Sequence, residues 1–161
     1  MNNYSNIVFD WGDTLMEDIP GCTGPMYLWP EIRVVEGARD LLESLSKNYT
    51  CSLATNAADS SEREIWQALE RGGLAEFIDN VFCQGNVGCK KVDDGYYETV
   101  VLRLGGDKRQ ILIVGDSLEN DGIRALQAGV DAVWFNHKNT DEPDEMRAIN
   151  RLYDLTMLLA H

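Results

Sequence analysis

The chain has 161 residues, of which 44% are hydrophobic and 25% charged, and its formal net charge is −13. This length and balance fit one globular domain with a buried core, while the negative charge disfavours binding to bare polyanions such as nucleic acid. No apolar run reaches the roughly 20 residues that a membrane span needs, and "MNNYSNIVF" lacks the basic and apolar segments of a signal peptide, so a cytoplasmic protein is expected.

In chain order, short β-rich runs alternate with amphipathic ones. "NIVFDW" reads as a buried strand. A stretch rich in Pro, Gly and aromatics follows, "DIPGCTGPMYLWPEI", and is expected to form a flap loop over about residues 16–33. Within it Met26, Tyr27, Leu28 and Trp29 are candidates either for contact with a substrate or partner or for packing over the sheet edge. "EGARDLLESLSKNY" sets Ala38, Leu41, Leu42 and Leu45 on one helical face. "TCSLATN" is a second strand. "DSSEREIWQALERGG" opens on capping residues and stops at glycines, as a helix does. "FIDNVFCQ" holds a short third strand, "DDGYYETVVLRLGG" a third helix and "QILIVGD" a strongly apolar strand. "ENDGIRALQAG" is a fourth helix, "DAVWFN" a fifth strand, and "EMRAINRLYDLTMLLA" a closing helix.

This alternation predicts an α/β protein: a three-layer α/β/α, Rossmann-like domain over residues 1–161 with a mostly parallel five-stranded sheet. Such sheets bind ligands beyond the carboxyl ends of their strands. Three strands end in polar residues there: Asp10 after the first, Thr55 and Asn56 after the second, and Asp116 and Ser117 after "ILIVG". The cysteines, Cys22, Cys51, Cys83 and Cys89, form no C-x-x-C pair, and only His137 and His161 are available to join them. Reduced thiols are therefore expected rather than a zinc site.

Four segments in order resemble the motifs of the haloacid dehalogenase-like (HAD) superfamily, whose members are mostly phosphohydrolases. "VFDWGDTL" is similar to the first motif, with Asp10 at the nucleophile position. "SLATN" resembles the second, with Thr55 as the phosphate-binding hydroxyl. "VGCKKVDDGYY" resembles the third, with Lys91 matching the lysine, Val92 where proline is common, and Lys90 as the alternative lysine. "ILIVGDSLENDGIRALQAG" resembles the fourth, with Asp116 and Asp121 as its acidic pair.

The resemblance implies a Mg²⁺-dependent phosphatase working through an aspartyl-phosphate on Asp10. It implies a Mg²⁺ held by Asp10, Asp116 and the backbone carbonyl of Gly12. Thr55, Asn56 and Lys91 would bind the phosphate. Asp121, with Ser117 and Asn120, would orient Lys91 or the water shell of the metal, and Ser117 is equally suited to cap a helix. The implied partner is a phosphorylated substrate.

The pattern departs from the family at one position. The general acid/base Asp usually found two residues after the nucleophile is Gly12, and the usual glycine after it is Asp13. Loss of a positioned acid/base typically costs about 10²–10⁴ in rate. Asp13 replaces it only if a local kink re-aims the side chain, because neighbouring side chains in an extended segment point apart. Otherwise it is a structural carboxylate. The open consequences are activated substrates that need little protonation, an acid from elsewhere, or a weakly active or non-hydrolytic protein that binds Mg²⁺ or a phospho-ligand. No cap domain is expected either after the first strand or between the second and third motifs. The site should therefore be open, fit for a large substrate and poor at excluding water. A phospho-acceptor receiver domain fits less well, since there the acidic pair comes early and the lysine ends the last strand.

Overall fold

Six short apolar runs pair into a single parallel sheet in a computed structural model that describes residues 3–161. They are β1 (Asn6–Phe9), β2 (Thr50–Ala54), β3 (Asn80–Phe82), β4 (Ile111–Gly115), β5 (Asp131–Phe135) and β6 (Ala148–Ile149). Their spatial order is β3-β2-β1-β4-β5-β6. Side chains alternate across each strand, so the sheet buries both faces. Ile7, Phe9, Leu53, Leu112 and Val114 face one side, and Val8, Ala54, Ile111 and Ile113 the other.

The first face is covered by α1 (Ala38–Leu45), through Leu41, Leu42 and Leu45, and by α2 (Glu62–Gly72), through Ile65, Ala68 and Leu69. Ser61 and Glu64 form a reciprocal capping box at the start of α2, and Gly73 ends it in the left-handed conformation that glycine adopts without strain. A one-turn helix, α3 (Gln84–Val87), precedes the lysine pair. The second face is covered by α4 (Tyr96–Arg103), through Tyr96, Tyr97, Val100 and Val101, and by α5 (Arg124–Gln127), through Ala125. The chain ends with α6 (Asp154–Leu159).

Two expectations need correction. The sheet has six strands rather than five, because β6 occupies the start of the expected closing helix. There the open edge of β5 offers unpaired donors, and the Trp134 and Asn136 amides donate to the carbonyls of Arg147 and Ile149, each at 2.8 Å. Helix is left only to α6. The helix expected after β4 begins instead as a π-helical turn, Leu118–Ile123, in which the Asp121 and Gly122 amides share the Ser117 carbonyl. Such wide turns often sit at functional sites.

The strand order reverses between β1 and β4. The crevice at this switch point is where an open parallel sheet receives ligands, and Asp10 and Asp116 stand on its two sides.

Candidate active site

Asp10 continues β1 by one residue, its amide donating to the Val114 carbonyl at 2.9 Å. The chain then wraps tightly: the Trp11 carbonyl accepts from the amides of Thr14, Leu15 and Met16. This turn buries the Thr14 side chain behind the site. The Thr14 hydroxyl lies 3.3 Å from Asp10 Oδ2 and 3.2 Å from Asp116 Oδ1, and accepts from the Asp116 amide at 3.0 Å. One hydroxyl thus ties the two strand ends together.

Lys91 is 3% exposed, whereas the neighbouring Lys90 is exposed. Lys91 Nζ donates to Asp10 Oδ1 and to Asp121 Oδ1, both at 2.6 Å. Its backbone is pinned as well, since its amide donates to Asn56 Oδ1 at 2.8 Å. Asp121 reaches this position across Gly115. A Cβ at Gly115 would lie 2.2 Å from Asp121 Oδ2, so only glycine leaves room for the carboxylate. The second oxygen of Asp121 accepts from the Ser117 amide at 3.0 Å. Ser117 Oγ caps the π-helical turn by accepting from the Asn120 amide at 3.1 Å, and the Asn120 carbonyl accepts from the Tyr97 hydroxyl at 2.6 Å.

Oxygens of Asp10, Asp116 and Asp121 all lie within 4.8 Å of one another. Crowding shows in their proton affinities. Burial pushes Asp116 up to about 8, helped by its hydrogen bond to Asp10 and the negative charge there. Burial and the charge of Asp10 push Asp121 up to about 6, against the pull of Lys91. Burial also opposes ionisation of Asp10. The Lys91 charge and hydrogen bonds from Asp116, Lys91 and the Trp11 backbone outweigh it and hold Asp10 below the usual carboxylate range. Lys91, although buried, is held well above its ordinary value by Asp10 and Asp121. One lysine therefore pairs with two carboxylates while a third, Asp116, stands beside them, a crowding that a cation would relieve. The donors are all hard oxygens, which suit Mg²⁺. The Gly12 carbonyl accepts no hydrogen bond among the described residues, so its lone pairs are open as well.

Thr55 is buried, and its hydroxyl oxygen accepts from the Ala57 amide at 3.0 Å, leaving its proton free to donate. Asp10, Gly12, Thr55, Asn56, Lys91, Ser117, Asn120 and Asp121 line one cleft of about 400 Å³. Asp116 sits just behind it, with the Trp134 indole donating to its carbonyl at 2.9 Å. Met26 and Trp29 of the flap form an apolar wall with Ile65 and Ala68 of α2, while Leu28 projects into solvent.

Asp13 is not part of this gathering. It adopts a left-handed backbone (φ 59°) that aspartate tolerates. Its Oδ1 accepts from the Asp18 amide at 2.9 Å, and it lines a separate cavity with Phe135 and His137. Thr14 and Asp18 are site neighbours that the sequence reading did not single out. The spacing from Asp10 to Thr14 was a visible signal, but nothing in the sequence alone folds Asp18 back toward Gly12.

Residues 27–135 match the family model described as haloacid dehalogenase-like hydrolase. The chain is 28% identical over 135 residues to the pyrimidine 5'-nucleotidase PynA of Streptococcus pneumoniae, covering 83% of this chain and 56% of that protein. It is 30% identical over 115 residues to a phosphoserine phosphatase of Thermus thermophilus, covering 71% and 45% respectively. The chain thus spans about half the length of the curated relatives it matches. Its fold superposes on that of Bacillus subtilis YfnB, solved bound to magnesium, with a TM-score of 0.80 at 19% identity, covering 99% of this chain and 100% of that one.

Proposed function

From the premise that this chain belongs to the haloacid dehalogenase-like hydrolases, as its family match establishes, we propose that it is a Mg²⁺-dependent phosphohydrolase with Asp10 as the nucleophile. The observation that carries this reading is the buried Lys91 ammonium bridging Asp10 and Asp121 beside Asp116. Asp10 is kept ionised, as a nucleophile must be. Asp10 attacks phosphorus as the P–O bond to the leaving alcohol breaks, and water then releases phosphate from the aspartyl-phosphate. The Thr55 hydroxyl and the Asn56 amide group hold the non-bridging oxygens, and Lys91 draws their charge toward Asp10. Asp121 orients Lys91, and Thr14 fixes Asp10 against Asp116. When bound by Asp10, Asp116 and the Gly12 carbonyl, Mg²⁺ supplies the positive charge that lets phosphate approach a carboxylate.

The cleft also shapes the substrate. Lys91 is the one cation among the described residues lining it and is already paired, whereas Asp18, Asp59 and Glu64 add negative charge. A phosphomonoester whose remainder is neutral or cationic suits these walls better than one carrying a second anion. A flap after β1 and one helix after β2 border the cleft, which fits an open site and a large substrate. Four free cysteines fit a reducing cytoplasm. No helix among the described residues is long and apolar enough to cross a membrane.

The test is a panel of neutral, zwitterionic and carboxylate-bearing phosphomonoesters, acyl phosphates and phosphopeptides with and without Mg²⁺, on the native chain and Asp10→Asn. Mg²⁺-dependent phosphate release that Asp10→Asn abolishes supports the reading. Release unchanged in that variant refutes it. A second reading, a non-hydrolytic phospho-ligand-binding protein, draws on the empty acid position at Gly12, and Mg²⁺ binding without turnover anywhere in the panel would favour it.

A further inference from the structure

We propose that Asp18, from the flap, is the catalytic acid/base that replaces the carboxylate missing at position 12. The assignment rests on the phosphohydrolase reading above and answers the question that Gly12 poses. A side chain built on Gly12 would point into open space whose one boundary within 4 Å is Asp18 Cβ, at 3.8 Å. Asp18 therefore borders the volume that an acid at position 12 would fill. It lines the same cleft as Asp10, Thr55 and Lys91, at the edge where that cleft adjoins the cavity that Asp13 lines, whereas Asp13 lines only the latter.

The other carboxylates of the cleft are engaged. Glu64 caps α2 by accepting from the Ser61 amide, and Asp59 accepts from the Ser60 hydroxyl. Asp121 is held by Lys91 and Ser117. Among the described residues the Asp18 carboxylate has no hydrogen-bond or ion-pair partner. Donors to a carboxylate favour its ionised form, so a carboxylate without them is the better placed to carry a proton.

The exchanged residues of the first motif explain how Asp18 arrives. Asp13, in its left-handed conformation, accepts from the Asp18 amide. The Met16 carbonyl accepts from the Asp13 amide at 2.6 Å and closes the turn. Asp13 is thus a positioning residue, which turns the chain back so that Asp18 borders Gly12. In the first step the Asp18 carboxylic acid gives its proton to the ester oxygen as that oxygen leaves phosphorus and Asp10 bonds to it. In the second, the Asp18 carboxylate takes a proton from water. The water oxygen then bonds to phosphorus, the bond to Asp10 breaks, and phosphate and both starting carboxyl states are recovered.

The experiment compares an alkyl phosphate, whose alcohol needs a proton to leave, with an acyl phosphate, whose carboxylate does not. Asp18→Asn is expected to lower kcat/KM for the alkyl phosphate by about 10²-fold or more, with a much smaller loss on the acyl phosphate. Adding Gly12→Asp to Asp18→Asn is expected to recover much of the alkyl activity, because the space at Gly12 is open. Asp13→Ala is expected to mimic Asp18→Asn in part, and Asp13→Asn, which keeps the acceptor, to rescue it. Equal losses on both substrates in Asp18→Asn, or none on the alkyl phosphate, overturn the assignment while leaving the phosphohydrolase reading standing. Alkyl turnover lost in Asp13→Asn overturns it in favour of Asp13 itself. A native chain that hydrolyses neither substrate overturns the underlying reading and the assignment with it.

Discussion

Replacing Lys91 with Met removes the cation that bridges Asp10 and Asp121 and retains most of the side-chain volume. Lys91 is 3% exposed and donates to Asp10 and Asp121 at 2.6 Å each. Breaking a buried ion pair by deleting one partner costs about 3–5 kcal/mol, because the charge left behind has no compensation. Protonation limits that cost. Asp121 (about 6) and Asp116 (about 8) are already raised above their unfolded values near 4. Groups raised in this way stabilise the fold most fully below the unfolded value, and that contribution is lost as pH rises through about 6 and then 8. Without Lys91 the carboxyls hold their protons to higher pH. Each extra proton retained by the folded variant makes its deficit grow by about 1.4 kcal/mol per pH unit. Lys91→Met is therefore expected to cost about 3–5 kcal/mol at pH 8, and about 1–3 kcal/mol less at pH 6. Urea unfolding in a chelator, run at both pH values, reads this directly. At about 2–4 °C per kcal/mol the pH 8 loss corresponds to a Tm drop of about 6–20 °C. A deficit below about 1 kcal/mol at pH 8, or one that grows as pH falls, would refute the reasoning.

Three further predictions follow from the same contacts. Mg²⁺ affinity should rise with pH between about 6 and 8, since the cation needs Asp116 ionised, and calorimetry near pH 7 in buffers of differing ionisation enthalpy should record proton release; binding without it would contradict the raised Asp116. Gly115→Ala should push Asp121 off Lys91 and cost roughly 1–3 kcal/mol or more in urea unfolding, with turnover reduced in the same preparation. Arg71 Nη1 ties the flap to α2 by donating to the Tyr27 and Trp29 carbonyls at 2.8 and 2.7 Å, so Arg71→Ala should loosen the apolar wall and raise KM more than it lowers kcat in steady-state assays.

The sheet and its crevice were legible because each signal is local. A buried strand reads as a short apolar run, an amphipathic helix as a 3.6-residue period, and a ligand end as a polar residue just past a strand. β6 was not legible, since two residues carry no period and pair only because β5 leaves its edge open. The π-helical turn after Ser117 was equally hidden, since its width is tied to how Asp121 packs over Gly115. Within the site, Asp10, Thr55 and Asp116 came into view as polar residues just past apolar strands, and Lys91 through the resemblance of its segment to the third motif. The direction of Asp13 depended on one backbone angle. The return of Asp18 to Gly12 depended on that angle and on the turn closed by Met16, and neither is a property of residue type alone.

The most direct measurement is an acid-quenched reaction of the native chain with ³²P-labelled acetyl phosphate and Mg²⁺, followed by peptide mapping. The account predicts transient label confined to the peptide that contains Asp10, and no label in Asp10→Asn. Release of labelled phosphate without any covalent label on Asp10, or with label on another residue, would contradict it.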